Sequence, residues 1–177
     1  MPKLSISPLI LFIAFLLILF SSLAQALEHV YQQPENFVNE QFKAKPKVKL
    51  ILLTKEMQSE VSRILGHAPR KLRQRYWTDG LRTLWILEEI GKTDPITAGF
   101  VVKNGRIEKA KVLIYREHRG MEVRFPSFLK QFSGVSLSTG NSLDRKIDGI
   151  TGATLSVHAM ERMARTALYF DKLSSTK

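Results

Sequence analysis

Thr97-Ala98-Gly99-Phe100-Val101-Val102 runs into Lys103-Asn104-Gly105, and a second β-prone run follows from Arg106 to Tyr115. Asn-Gly between two such runs is the strongest short-range signal for a hairpin, because both residues accept the positive φ of a type I′ turn. In the second arm Ile107, Lys109, Lys111, Leu113 and Tyr115 alternate with Glu108, Ala110, Val112 and Ile114. The pattern becomes apolar on both faces towards Tyr115, so that end reads as buried between a sheet and a helix. Upstream, Asp79-Gly80 marks a turn, and Leu81, Thr83, Trp85 and Leu87 alternate as a strand with one core face does. Asp94-Pro95 marks the next turn. Three consecutive antiparallel strands are expected, at about 81–88, 97–102 and 106–115.

On the N-terminal side, Val48 to Leu53 is a short apolar run, either a strand or the approach to a helix. Thr54 offers an N-cap, Met57, Val61, Ile64 and Leu65 form a helical stripe, and Gly66 closes it. His67 then reads as a capping or surface residue. Lys71-Leu72-Arg73-Gln74-Arg75 is the densest basic cluster; with Tyr76-Trp77 behind it, it reads as an exposed loop leading into a strand. Leu27 to Pro46 has no sustained periodicity and reads as a lead-in segment. Beyond Tyr115 comes the charged stretch Arg116-Glu117-His118-Arg119-Gly120, a place where sites gather and also an ordinary surface turn. Met121 to Phe125 reads as extended. Pro126 opens a short helix with Phe128, Leu129 and Phe132 as its apolar face, and Gly134 to Gly140 forms a last strand or an extended loop. The class is α+β: an antiparallel sheet of three to five strands with flanking helices.

The first residues read as an address. Lys3 supplies a positive start, Leu9 to Phe20 is apolar without interruption, and Ala24-Gln25-Ala26 is a small-residue cleavage site. Together they form a secretory signal peptide, too short in its apolar core for the roughly 20 residues of a spanning helix. An uncleaved leader would leave a membrane tether. The expected division is a signal peptide over 1–26, an N-terminal segment with one helix over 27–79, and a domain over 80–177. The destination is periplasmic or otherwise extracytoplasmic. The 177 residues include no cysteine, which excludes disulfides, thiolate metal sites and haem attachment through thioethers. A net charge of +11 suits anionic lipid, an acidic partner or plain solubility; an exported chain gives no reason to expect nucleic acid.

The remaining signal is Asp148-Gly149-Ile150-Thr151-Gly152-Ala153-Thr154-Leu155-Ser156. Val157, Met160, Met163, Ala164, Ala167 and Leu168 follow at the three- and four-residue steps of an amphipathic helix. Two glycines and small hydroxyl residues therefore stand at a helix start, where unpaired N–H groups and partial positive charge favour phosphate. The plainer reading is that Thr151 or Thr154 is an N-cap and the glycines shape its turn. No Walker ending is present, and no Ser-His-Asp or metal constellation forms in the sequence.

Asp-x-x-Thr-Gly-Ala-Thr resembles the flavinylation motif of the FMN-binding domain family, which includes the C and G subunits of sodium-pumping and Rnf-type redox complexes. The resemblance extends over about 80–173. It implies FMN carried covalently on Thr154 through a phosphoester, with Asp148, Gly149, Thr151, Gly152 and Ala153 completing the sequence read by a flavin transferase. It also implies a C-terminal helix starting at the motif, with Thr151 and Ser156 placed to donate to the phosphate. Glu117, His118 and Arg119 become candidates for positions near the flavin ring. Relatives in the large complexes often carry Glu-Thr-Pro-Gly-Leu-Gly where this chain has Glu117-His118-Arg119-Gly120-Met121-Glu122, so a small free-standing exported member is the closer match. The implied activity is electron transfer with a membrane-bound donor or acceptor. The alternatives are a flavin-free basic module binding an anionic envelope component, and a reductase with its own small substrate.

Overall fold

In the computed structural model, which describes residues 28–175, the expected hairpin is present. The leader expected over 1–26 lies outside the described residues. Strands β5 (Pro95–Lys103) and β6 (Arg106–Tyr115) are joined through Asn104 and Gly105, with φ of 52° and 69°. These are the two left-handed positions that a type I′ turn requires. Strand β4 (Arg82–Ile90) pairs with β5 over its whole length, from Arg82 opposite Lys103 to Ile90 opposite Pro95. Beyond β4 come β3 (Arg73–Thr78) and β2 (Lys47–Leu52), and β1 (His29–Val30) pairs with the far side of β6. Among the described residues this gives one antiparallel sheet in the order β1-β6-β5-β4-β3-β2.

The sheet thus has six strands where three to five were expected. β1 has two residues, too few for any alternation to show. β3 holds the basic cluster itself: Arg73 and Arg75 occupy its exposed positions, and Tyr76 and Thr78 its buried ones. Charges on the open face of a strand look like a loop when only one face is legible. Of the two readings of 134–140, a last strand or an extended loop, the loop is the one found, held by two isolated bridges, Arg106 with Ser136 and Leu137 with Leu143. Met121–Arg124 is a 3-10 turn, not an extended segment.

The segment 27–79, expected to hold one helix, contributes two: α1 (Pro34–Gln41) and α2 (Lys55–Leu65). α2 is built as its sequence indicates, with Met57 N–H donating to Thr54 Oγ1 and Gly66 (φ 81°) donating to the Ser62 carbonyl. α1 is no loose lead-in. Its Phe37 is fully buried, and the ring lies 2.3 Å from where a Cβ on Gly99 would stand. Only glycine at 99 lets α1 settle on the sheet. There Phe37, Val38 and Phe42 form one apolar cluster with Leu84, Val101 and Leu113.

The other face carries the main core, under α2 and the long helix α4 (Thr154–Ser175). Trp85 stacks on Tyr76 at 4.6 Å between ring centroids and leans on Phe170 of α4 at 5.5 Å. A short helix α3 (Pro126–Leu129) brings Phe128, and the following 3-10 turn brings Phe132, into this core. Ile51, Leu53, Val61 and Tyr76 belong to the same cluster as the buried face of α4, so the core runs without a break across residue 80.

His67 is part of this assembly. Its Nε2 lies 2.9 Å from Glu89 Oε1 and its Nδ1 2.9 Å from the Ala68 carbonyl, while Arg162 of α4 reaches the same Glu89 oxygen at 3.3 Å. Both ring nitrogens face acceptors, so both must donate, and the imidazolium satisfies them. The Glu89 carboxylate first, and the Ala68 carbonyl second, raise the His67 pKa above its ordinary 6.5. A raised histidine pKa adds stability that is full below 6.5 and fades as pH rises through the folded value. Thermal midpoints measured from pH 5.5 upwards should therefore fall for the native protein above pH 6.5, relative to His67→Gln. Parallel curves for the two proteins would rule the tie out.

Candidate functional site

Ile147 is buried and Ile150 packs at the edge of the core, which anchors the loop ahead of α4 at two points. Between and after them, Asp148, Gly149, Thr151 and Gly152 are exposed. The Asp148 N–H donates to Gln131 Oε1 at 2.7 Å. Gly152 takes a φ of 82°, and Ala153 N–H donates back to the Ile150 carbonyl at 2.9 Å, closing a tight turn. The Ala153 carbonyl then accepts from Val157 N–H at 3.0 Å, the first rung of the helix ladder. The capping position is thus occupied by Ala153, and neither Thr151 nor Thr154 is the side-chain cap that the plainer sequence reading offered. Alanine has no oxygen to cover the helix start. The N–H groups of Thr154, Leu155 and Ser156 precede the first rung, and the macrodipole adds positive charge there. Thr154, the first residue of α4, is exposed.

This helix start forms one wall of a cleft of about 520 Å³. The opposite wall comes from the turn after β4, with Lys92 and Thr93, and from the exit of β6, with Glu117, His118 and Arg119. Glu117 is buried and fixes the two parts of that wall together. Its Oε1 accepts from the backbone N–H groups of Lys92, of Thr93 at 2.7 Å and of Asp94 at 3.1 Å; its Oε2 accepts from Thr93 Oγ1 at 3.0 Å. Burial works to raise the Glu117 pKa, but the N–H groups of Thr93, Asp94 and Lys92 outweigh it, so the carboxyl is held below its ordinary 4.5. Gly91 makes the wrap possible, since a Cβ there would stand 2.8 Å from Glu117 Oε1.

A second tie joins the β6 exit to α4. The Tyr115 hydroxyl donates to the Arg119 carbonyl and lies 3.1 Å from Ser156 Oγ. A phenol has one hydrogen, so Ser156 is the donor in the second bond. Its own hydrogen is thereby used inside the protein, and its residue is buried. Gly120 (φ 85°) lies directly against this pair: a Cβ would meet Ser156 Oγ at 2.8 Å, Tyr115 Oη at 3.0 Å and the Ala153 Cβ at 3.2 Å. Gly120→Ala combines a disfavoured backbone with a clash and should cost roughly 2 kcal/mol, from the left-handed conformation and overpacking. Chemical denaturation reads this directly; an unchanged midpoint would show that the β6 exit does not rest on the helix start.

Residues 91–169 match the family model described as the FMN-binding domain. The chain carries an FMN-binding domain. The match begins at Gly91, the glycine of the Glu117 wrap, and ends in α4. No curated protein matches the chain.

Within the FMN-binding domain the expected site residues separate into two groups. Gly152, Ala153, Thr154 and Ser156 face Glu117, His118 and Arg119 across the cleft, although more than thirty residues lie between the two sets. Asp148, Gly149 and Thr151 do not line it; they form the exposed approach to the helix. Lys92 and Thr93 were not singled out in the sequence. The signal for them was the hairpin itself, because the turn between β4 and β5 must lie at the same end of the sheet as the exit of β6. The cleft also fits a flavin mononucleotide. It has an uncapped helix start, two cations in Lys92 and Arg119, and a volume within the roughly 300–1,000 Å³ of small-ligand sites.

Proposed function

We propose that the FMN-binding domain carries FMN covalently on Thr154 and passes electrons between a membrane-bound partner and an acceptor outside the cytoplasm. The observation that carries this reading is an exposed threonine as first residue of an uncapped 22-residue helix, on the rim of a cationic cleft. In the phosphoester an Oγ–P bond would replace Thr154 Oγ–H. The transferase would take the flavin mononucleotide from a flavin dinucleotide, breaking the donor's diphosphate P–O bond and releasing the nucleoside monophosphate and the hydroxyl proton. The linked phosphate would keep one negative charge. The N–H groups at the start of α4 oppose that charge, and Lys92 and Arg119 add to the effect. Ser156 holds the helix start in place through Tyr115, and Glu117 holds the opposite wall. His118, exposed on the cleft, is left to meet the ring. FMN, when bound, supplies the reversible redox chemistry, and the protein supplies position and electrostatics.

Asp148, Gly149 and Thr151, exposed on either side of the core-anchored Ile150, give a flavin transferase positions it can read without unfolding the domain. Export is supported by the leader composition, and covalent attachment would keep the cofactor from being lost once outside. The test is production alongside a flavin transferase, followed by a denaturing gel viewed for flavin fluorescence and by intact mass. A fluorescent band with the mass of one attached FMN, starting at Leu27, is the expected result. A dark band with the mass of the bare chain, with the transferase shown active on another substrate, would rule the reading out.

A further inference from the structure

Strand β2 lies at the edge of the sheet, and its side chains divide cleanly. Ile51 is buried beneath the main core, whereas Val48, Leu50 and Leu52 point to the other face and are 57%, 62% and 62% exposed. In the β2–β3 register Trp77 stands opposite Val48, Arg75 opposite Leu50 and Arg73 opposite Leu52. Directly paired residues share a face, so the aliphatic row runs beside two arginines and a tryptophan. Trp77 packs at the margin of the cluster under α1, which identifies this as the α1 side of the sheet. The helix itself rests on Leu84, Val101 and Leu113 of β4, β5 and β6. Beyond β4 the described residues leave that face open.

Three neighbouring large aliphatics more than half exposed, on a flat surface edged by cations, need an occupant that is apolar and anionic at once. A second copy of this chain is disfavoured: a two-fold contact through this face would gather Arg73 and Arg75 of both copies into one patch, like charge near like charge, in a chain of net charge +11. An anionic bilayer offers both properties in layers, phosphate outside and hydrocarbon a few ångströms deeper. We propose that the face of β2 and β3 bearing Val48, Leu50, Leu52, Arg73, Arg75 and Trp77 docks on an anionic phospholipid surface. The aliphatic row enters the headgroup–acyl boundary, Trp77 sits at headgroup level, and the two arginines take lipid phosphate. This does not rest on the flavin reading.

The chain reports on the contact itself, because it has two tryptophans and Trp85 is fully buried. Full-length protein is mixed with phosphatidylglycerol vesicles whose acyl chains carry bromine, and tryptophan quenching is recorded. Quenching is expected with the native protein and absent from Trp77→Phe, and it should be far weaker on brominated phosphatidylcholine. Arg73→Gln with Arg75→Gln should lower vesicle partitioning roughly thirtyfold, about fivefold for each arginine. Leu50→Glu with Leu52→Glu should abolish the quenching, with the circular dichroism spectrum unchanged since both side chains are exposed. Vesicle binding with Trp77 unquenched would assign attachment to the apolar stretch Leu9 to Phe20 alone and overturn the proposal. Equal quenching on both lipids would overturn it, as would a lipid-free dimer that the two glutamates dissociate.

Discussion

Thr154→Ala, made alongside a flavin transferase, is expected to give a dark band of bare-chain mass where the native protein is expected to fluoresce. The loss should be complete, because the phosphoester needs the side-chain oxygen and alanine has none. The fold should be untouched. Thr154 is exposed and follows the buried Ala153, whose backbone closes the turn and accepts the first helix bond. Surface substitutions of this kind move stability by about 0.5 kcal/mol or less, and alanine is the better helix former. A thermal midpoint close to the native one therefore separates lost attachment from lost structure. Thr154→Ser keeps the hydroxyl and should retain some flavin. Fluorescence that survives in the alanine variant would move attachment elsewhere. Thr151 would then be the nearby candidate, because the Ser156 hydroxyl is buried against Tyr115.

The second large effect is on stability. Glu117→Ala strands the backbone N–H groups of Lys92, Thr93 and Asp94, which converge on one buried carboxylate, while the Thr93 hydroxyl can turn to Asp94 Oδ2 at 3.0 Å. Unpaired buried donors cost about 1–3 kcal/mol each, but Lys92 and Thr93 are exposed and Asp94 half-buried, so water reaches these groups and a net loss of about 1–3 kcal/mol in all is expected by chemical denaturation. Glu117→Gln fills the same space and retains one acceptor, but turns an amide N–H₂ towards donors, so it should fall between alanine and the native residue. The comparison also has a pH signature. A carboxyl held below its ordinary pKa adds stability that is full above 4.5 and is lost as pH falls through the folded value. The gap between native protein and Glu117→Gln should thus be widest at neutral pH and close on acidification below 4.5. A gap that stays constant into acid would mean the carboxylate charge is not what holds the turn.

The hairpin and the motif were legible because each is local. Asn104-Gly105 dictates its own backbone, and the stripe after Thr154 dictates a helix without help from distant residues. The meeting of Glu117 and His118 with that helix start was legible only as a resemblance, since two antiparallel registers and a helix crossing intervene. Gly99 shows the limit more sharply. As a glycine inside a strand it looks like a weakness, and its purpose depends on Phe37, sixty-two residues earlier. The charged first half of β3, Arg73 to Arg75, was read as the loop leading into a strand for a related reason: its charges face the open side, and its pairing with β2 is not local.

Phe37 over Gly99 also bears on where this protein can be cut. The matched stretch 91–169 holds Thr154, the cleft walls and most of α4, and on paper it is a portable cassette. Excised, it would leave β5 with no β4 at its side and Val101 and Leu113 with no α1 above them. Trp85 would be gone as well, and so would Phe170 of α4, which rests on it and lies one residue beyond the stretch. The stretch that matches the family model is therefore not the stretch that folds, and any graft of it into another protein has to bring residues 29–90 along as its scaffold.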